Sequence, residues 1–237
     1  WRYWGLVRVF SDMTVTDKKR FSITTPLYYV NGLPHIGSAY TTMAADVISR
    51  FHRLQGDDVL LITGTDEHGQ KIQRTAEQLN RDPQDHCDEI AAGFQDLWAR
   101  LDIQYNRFSR TTSDRHTAIV EEFFQRVWDK GDIYLDQQKG WYCVDCEEFK
   151  EERDLLPDHF CATHTNRVVE WRDEENYFFR LSRYQEQLLH HYAAHPDFIQ
   201  PESRRNEVLN FAKQGLQDFS ISRVNLDWGI PVPGNPN

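Results

Sequence analysis

Twice in the first third of the chain, the spacing of apolar residues changes from that of a strand to that of a helix. Phe21–Leu27 is rich in β-branched residues, as in a short strand, and Asn31–Gly32 then predicts a turn. From Ile36 to about Leu54, apolar residues recur at steps of three and four and predict an amphipathic helix. The apolar run Asp58–Thr63 predicts a central parallel strand, covered on both faces. This order predicts an α/β fold with a doubly wound parallel sheet, whose ligands bind beyond the carboxyl ends of the strands.

The rest of the chain predicts helices on either side of a region without periodicity. Helical patterns occupy Gln70–Leu79, Ala91–Leu101, His116–Lys130, Arg183–His191 and Glu202–Gln217. Between Gly131 and about Arg172 the periodicity is lost and cysteines cluster, which indicates an inserted subdomain. We therefore expect an extension (1–20), the first half of a nucleotide-binding domain (21–130), an insertion (131–180) and return helices (181–237). We also expect Met13 to be the natural start and residues 1–12 to be extraneous.

Composition and charge exclude several classes of protein. The formal net charge of -10 argues against a protein held on nucleic acid by bulk charge, although local basic patches can still contact RNA. No apolar run approaches the roughly 18 residues of a membrane span, and the charged segment Trp1–Arg20 does not resemble a signal peptide. We expect a cytoplasmic protein that binds neither membrane nor DNA.

Two loops at predicted strand ends carry candidate site residues. His35-Ile36-Gly37-Ser38 lies where a helix begins, and a helix N-terminus with a glycine and an imidazole suits a phosphate. The spacing alone favours a simpler interpretation, a histidine that precedes a helix cap and a glycine that relieves crowding. The second loop, Gly64–Gly69, contains Asp66 directly after a strand, and by itself it is more readily a solvated acidic turn.

A third motif pairs cysteine and histidine at metal-ligand spacing. Cys143 and Cys146 form one pair, Cys161 and His164 form the other, and each pair has two residues between its members. This spacing predicts a tetrahedral zinc site with no ligand position left for water, so the role is structural. The alternatives are reduced thiols without a metal and, less favoured because the fourth partner is histidine, a redox pair. Cys87 stands apart from the cluster, which fits a reducing compartment.

The segment Thr25–Ser38 resembles the HIGH signature region of class I aminoacyl-tRNA synthetases, and among them the methionyl-tRNA synthetases. Ser38 stands where the family has its last signature histidine, at a position that tolerates change. Arg180–Tyr184 and Trp228–Pro233 also resemble this family, so the similarity extends from about Arg20 to Pro233.

The resemblance implies a Rossmann-like catalytic domain and an activity. ATP and methionine would give methionyl adenylate and pyrophosphate, with Mg²⁺ on the triphosphate, and the methionyl group would pass to tRNA(Met). The implied roles are phosphate stabilisation and ATP binding by His35, Gly37 and Ser38, with His35 and Ser38 as catalytic residues. Asp66 would bind the methionine ammonium, and Leu27 and Tyr29 would line the side-chain pocket. Cys143, Cys146, Cys161 and His164 would form the zinc knuckle of the connective peptide, which approaches the tRNA acceptor end.

Two other functions remain open at this point. A synthetase of the same subclass, for leucine, isoleucine, valine or cysteine, is disfavoured by the short insertion and by zinc outside the substrate site. A zinc-bearing RNA-binding module without catalysis is the alternative from another class. We further expect the chain to be an N-terminal fragment that lacks the second catalytic half, with its Lys-Met-Ser-Lys-Ser loop, and to be inactive alone.

Overall fold

Three parallel strands form the centre of the first of two compact units. The computed structural model describes residues 18–224 and 226–235, so the predicted start at Met13 and residues 1–17 of the predicted extension (1–20) lie outside the described residues. The first unit comprises described residues up to 67 together with 75–113, and the second comprises 68–74 with residues from 114 onward.

The sheet of the first unit has the order β1-β2-β3, with all strands parallel. The strands are β1 (Arg20–Tyr29), β2 (Asp58–Asp66) and β3 (Arg107–Arg110), and the helices between them are α1 (Ile36–Leu54), α2 (Gln70–Gln78) and α3 (Pro83–Arg100). The central strand β2 alternates buried and less buried positions and then becomes continuously buried over residues 63–65. Strands that alternate with helices in one parallel sheet confirm the predicted Rossmann-like α/β class.

Several elements differ from the sequence-based expectation in their bounds. The strand β2 continues to Asp66, so residues 64–66 are strand and not loop. The helix α3 begins eight residues before the predicted Ala91, because Asp82 caps it and Pro83 occupies its first turn. The strand β3 was not predicted, since four residues carry too little periodicity.

The helix α1 has the predicted bounds but buries the face opposite to its apolar stripe. Six apolar residues, spaced so that they lie along one side, are exposed in the described part of the chain: Ile36, Tyr40, Met43, Val47, Phe51 and Leu54. The buried positions are small or polar: Ser38, Ala39, Thr42, Ala45, Asp46 and Ser49. Polar groups can be buried here because each finds a partner, as when the Ser49 hydroxyl donates to the Ala45 carbonyl at 2.9 Å.

The second unit is built on an antiparallel sheet with the order β5-β4-β8-β9. Its elements are α4 (Asp114–Asp129), β4 (Ile133–Cys143), β5 (Glu148–Lys150), β6 (Leu155–Leu156), β7 (Phe160–Cys161), β8 (Glu170–Phe179), α5 (Gln185–Ala194), α6 (Glu202–Lys213) and β9 (Phe219–Ser220). Residues 131–172, predicted only as irregular, therefore contain most of this sheet. The helix α6 ends four residues before the predicted Gln217, because Gly215 adopts a positive φ of 104° just beyond the helix cap.

Among the described residues, none of the helices is both long enough and apolar enough to cross a membrane.

Gly64 allows β2 and β3 to approach each other closely. It pairs with Ser109 in the parallel register, and a Cβ at this position would lie only 1.8 Å from the Ser109 carbonyl oxygen. That atom belongs to the backbone of a paired strand and cannot rotate away. Glycine is therefore required for the sheet to close at this end.

We expect Gly64→Ala to lower the free energy of unfolding by about 3 kcal/mol, the upper end of the usual cost of overpacking. Gly32→Ala is the matched control, because a Cβ there meets no atom within 4 Å. Urea denaturation followed by circular dichroism measures both variants. Equal stability of the two would contradict the close approach of β2 and β3.

Candidate active site and metal centre

The predicted amino-acid-binding residues meet at the carboxyl edge of the parallel sheet. Leu27 pairs with Gly64, and Tyr29 pairs with Asp66, where β1 and β2 end. The register between these strands shifts between Thr24 and Leu27, an interval that contains Pro26, which has no N–H to give to the ladder. Leu27 and Asp66 are half-buried and Tyr29 is exposed. The structure thus places an aromatic ring, an aliphatic side chain and a carboxylate on neighbouring strand ends, where ligands of such sheets bind.

His35 is the N-cap of α1. Its backbone is extended, and its Nδ1 accepts the N–H of Gly37 at 3.0 Å. Ser38 completes the cap, because its hydroxyl oxygen accepts the His35 N–H at 3.1 Å. Since Nδ1 is an acceptor, the neutral ring carries its proton on Nε2, which makes Nε2–H the donor of this imidazole. The alternative in which His35 only precedes the helix cap is therefore wrong, because the imidazole itself caps the helix.

Gly37 is needed for the imidazole to occupy the cap position. A Cβ on Gly37 would lie 2.9 Å from Cε1 and 3.1 Å from Nδ1 of His35. The first turn of α1 contains no acidic residue. The partial positive charge of this helix end is therefore not offset within its own first turn, which favours an anion in front of it.

Ser38 is buried and its hydroxyl serves the helix cap. Besides accepting from the His35 N–H, it donates to the His35 carbonyl at 2.8 Å. The Tyr28 hydroxyl donates to the Ser38 carbonyl at 3.2 Å. The predicted contact of Ser38 with ATP stays a prediction.

The helix α3 supports the loop that leads to His35, a role that sequence reasoning missed. The His86 Nε2 donates to the Val30 carbonyl at 2.8 Å, just beyond the end of β1. The ring of Tyr28 stacks on Phe94 with centroids 5.4 Å apart. The only signal for this support was the cap at Asp82, which would have placed His86 and Phe94 on one helix.

A partly buried ion pair was also missed, although its acidic member lies within the Gly64–Gly69 motif. Glu67 is fully buried, and Arg110 forms two contacts with its carboxylate, at 2.8 Å and 3.0 Å. The same guanidinium contacts Asp88 at 2.6 Å and lowers the pKa of that carboxyl. These residues join the ends of β2 and β3 to α3.

In the second unit, the predicted metal ligands converge on one point. The Sγ atoms of Cys143, Cys146 and Cys161 and the Nδ1 of His164 all lie within 4.8 Å of one another. The Cys146 and Cys161 sulfurs are 3.6 Å apart, and the imidazole nitrogen is 3.2 Å from Cys146. Ligands on the edges of a zinc tetrahedron are separated by about 3.5 to 3.8 Å, given Zn–S of about 2.3 Å and Zn–N of about 2.0 Å. The donor set therefore fits a tetrahedral metal ion.

The chemistry of the sulfurs also fits a metal site. Burial, together with the neighbouring Cys143 and Cys161 sulfurs, raises the pKa of Cys146 to about 11. Burial acts in the same direction on Cys161, but the N–H groups of His164 and Thr163, together with the Cys143 and Cys146 sulfurs, outweigh it and lower the pKa of Cys161 to about 6. The His164 N–H donates to the Cys161 sulfur at 3.4 Å, a contact that stabilises a thiolate ligand.

The family model described as tRNA synthetases class I (M) matches residues 21–161 and 154–237. The chain belongs to this family of class I tRNA synthetases. Methionine–tRNA ligase of Thermosynechococcus vestitus is 74% identical over 216 residues, which are 91% of this chain and 41% of that protein. The chloroplastic/mitochondrial methionine–tRNA ligase of Arabidopsis thaliana is 53% identical over 94% of this chain and 36% of its own length.

Solved structures of class I synthetases share the fold. Mycobacterium tuberculosis methionyl-tRNA synthetase in complex with methionyl-adenylate is 43% identical and superposes with a TM-score of 0.87, over 92% of this chain and 43% of that one. The chain thus spans about two fifths of the length of these relatives. The fold and the class I family are established by these matches.

The capping role of His35 can be measured on the chain itself. His35→Ala removes the acceptor of the Gly37 N–H and should lower the free energy of unfolding by about 1 kcal/mol, the usual cost of losing an N-cap. His35→Asn should lose much less, because asparagine is a preferred N-cap. Urea denaturation compares the two. Equal losses would contradict the cap.

Proposed function

We propose that this chain supplies the ATP- and methionine-binding half-site of a methionine–tRNA ligase. The observation that carries the proposal is one sheet edge with two opposite electrostatic preferences. The N-terminus of α1, capped by His35, favours an anion, and the Asp66 carboxylate at the end of β2 favours a cation. An amino acid that reacts at a nucleotide phosphate carries both charges.

The reaction would join the methionine carboxylate to the α-phosphate of ATP. The carboxylate oxygen forms the new bond to phosphorus, and the bond to the bridging oxygen breaks as pyrophosphate leaves. The nucleophile belongs to the substrate, so the protein contributes alignment and charge stabilisation. His35 would donate from Nε2–H to a phosphoryl oxygen, and Gly37 would keep that imidazole in place. Mg²⁺ would be bound mainly through the phosphates.

Methionine would be recognised at both of its ends. Asp66 accepts a charge-assisted hydrogen bond from the ammonium group. Leu27 and Tyr29 form an apolar and aromatic wall against the polarisable thioether. Ser38 supports the nucleotide subsite by fixing the helix cap. The comparison with a complex of methionyl-adenylate supports this choice of substrates.

We also propose that the four-ligand cluster holds a structural zinc ion in an insertion of residues 131–180. All four donors are protein side chains, so the ion has no open position for a substrate. The few apolar residues around it, among them Val169 and Leu155, make a small core that the metal would reinforce. Further proposals are tRNA(Met) as the acceptor and a cytoplasmic location.

The function is tested in a graft: the Thermosynechococcus vestitus relative with its 216 aligned residues replaced by those of this chain. We expect ATP–pyrophosphate exchange that depends on methionine and not on leucine, isoleucine, valine or cysteine. His35→Asn, which keeps the cap, should reduce kcat roughly 100-fold or more, because one preorganised donor to the developing charge is lost.

Two outcomes would contradict the proposal. A folded graft with no exchange would favour an RNA-binding module without catalysis, and exchange with another amino acid would favour a different synthetase of the subclass. Full activity of His35→Asn would show that the histidine only caps α1.

The zinc proposal is tested on the chain as purified. We expect about one zinc ion per molecule, and Cys146→Ser should lower the zinc content and the thermal stability together, because metal binding energy is largely folding energy in such sites. Cys87→Ser is the matched control, since this buried cysteine lies in the first unit. A metal-free chain of unchanged stability would contradict the proposal, as would equal zinc loss in both variants.

A further inference from the structure

Glu67 is a fully buried carboxylate immediately beyond the proposed ammonium ligand Asp66. Its side chain accepts hydrogen bonds from Arg110, Thr65 and Thr112. Arg110 donates from Nε at 2.8 Å and from Nη2 at 3.0 Å, Thr65 donates its hydroxyl at 2.6 Å, and the Thr112 hydroxyl also donates. Both carboxylate oxygens are thus engaged, as a buried charge requires.

The backbone of Glu67 is also held by hydrogen bonds. Its N–H donates to the Thr111 hydroxyl at 2.8 Å, and its carbonyl accepts the Cys87 thiol at 3.6 Å. The Thr111 N–H in turn donates to the Thr65 carbonyl, although at 3.4 Å this bond is long. Thr65 and Glu67, the residues on either side of Asp66, are therefore both hydrogen-bonded to Thr111, which directly follows β3.

The chemistry of the pair indicates positioning more than stability. A buried ion pair often stabilises a fold no better than apolar residues of the same volume would, because both charges lose their hydration. What a bidentate arginine–carboxylate pair does provide is a defined orientation of two planar groups. Here that orientation sets where the end of β2 lies relative to β3 and, through the adjoining peptide, where Asp66 lies.

We propose that Glu67 and Arg110 are positioning residues for methionine binding: their ion pair, in which the carboxylate is fully buried and the guanidinium is partly exposed, holds the carboxyl end of β2 so that Asp66 meets the substrate ammonium. The inference rests on the proposed function. It also gives different roles to two neighbouring acids. Arg110 compensates the charge of Glu67. Asp66 is half-buried and lies opposite Tyr29 in the register of β1 and β2, at the sheet edge.

The test uses Glu67→Gln in the graft, because the amide keeps the volume and one oxygen acceptor. We expect the KM for methionine to rise roughly 10- to 100-fold, the loss typical of misplacing a binding group by a fraction of an ångström to about 1 Å. The KM for ATP should not change, since the cap of α1 is untouched. Asp66→Asn in the same graft is the benchmark and should show the same selective loss.

Two controls separate positioning from general damage. Asp88→Asn removes the charge of the other acid that contacts Arg110. The Asp88 side chain is 53% exposed, so this variant should leave the KM for methionine unchanged. Asp46→Asn breaks a different arginine–carboxylate pair in the same unit, with Arg50 at 2.6 Å, and should lower the melting temperature without a methionine-specific effect.

A double variant keeps the test decisive if Glu67→Gln folds poorly. Glu67→Met with Arg110→Met replaces both charges by apolar side chains and should recover thermal stability relative to either single variant. Under our inference the KM for methionine stays high in this stable protein. Recovery of both properties together would show a merely structural pair.

The failures of the two proposals can be told apart. An unmutated graft without methionine-dependent exchange overturns the proposed function and the inference with it. An active graft overturns the inference alone if Glu67→Gln leaves the KM for methionine unchanged, raises the KM for ATP equally, or behaves like Asp46→Asn.

Discussion

The parallel pairing of β2 with β1 on one side and β3 on the other is the constraint on which the candidate site depends. It brings Tyr29, Asp66 and Arg110 to one edge of the sheet, although these residues are far apart in sequence. The pairing needs Gly64, because the Ser109 carbonyl occupies the space of any side chain there. Backbone hydrogen bonds therefore determine where the polar groups of the site lie, and the side chains refine that placement.

At the start of α1, His35 caps the helix, and in the proposed function the same residue donates to a phosphoryl oxygen. Nδ1 of His35 satisfies an N–H that the helix leaves unpaired, and this fixes the ring so that Nε2–H is its donor. Gly37 leaves space for the ring, and the Ser38 hydroxyl oxygen accepts the His35 N–H. In the proposed function, an imidazole held in this way would lose little entropy when substrate binds, which is the benefit of preorganisation.

Sequence reasoning succeeded where a pattern is local and failed where partners are distant. The bounds of α1 followed from its periodicity, and the convergence of Cys143, Cys146, Cys161 and His164 followed from two short spacings. The same periodicity did not reveal that α1 buries its small and polar face, because burial depends on the sheet it packs against. The ion pair between Glu67 and Arg110 has no local signature at all, since it joins residues that only the strand register brings together. The early start of α3 could have been predicted from Asp82 and Pro83.

In the proposed function, one sheet edge binds the nucleotide phosphate at His35 and the methionine ammonium at Asp66. A crystal structure of the graft with a non-hydrolysable analogue of methionyl adenylate tests it most directly. We expect His35 Nε2 to lie within hydrogen-bond distance of a phosphoryl oxygen, or of the group that replaces it. We also expect an Asp66 carboxylate oxygen to lie within hydrogen-bond distance of the ammonium nitrogen. An analogue bound with its ammonium on another residue, or with His35 turned away from it, would contradict the account.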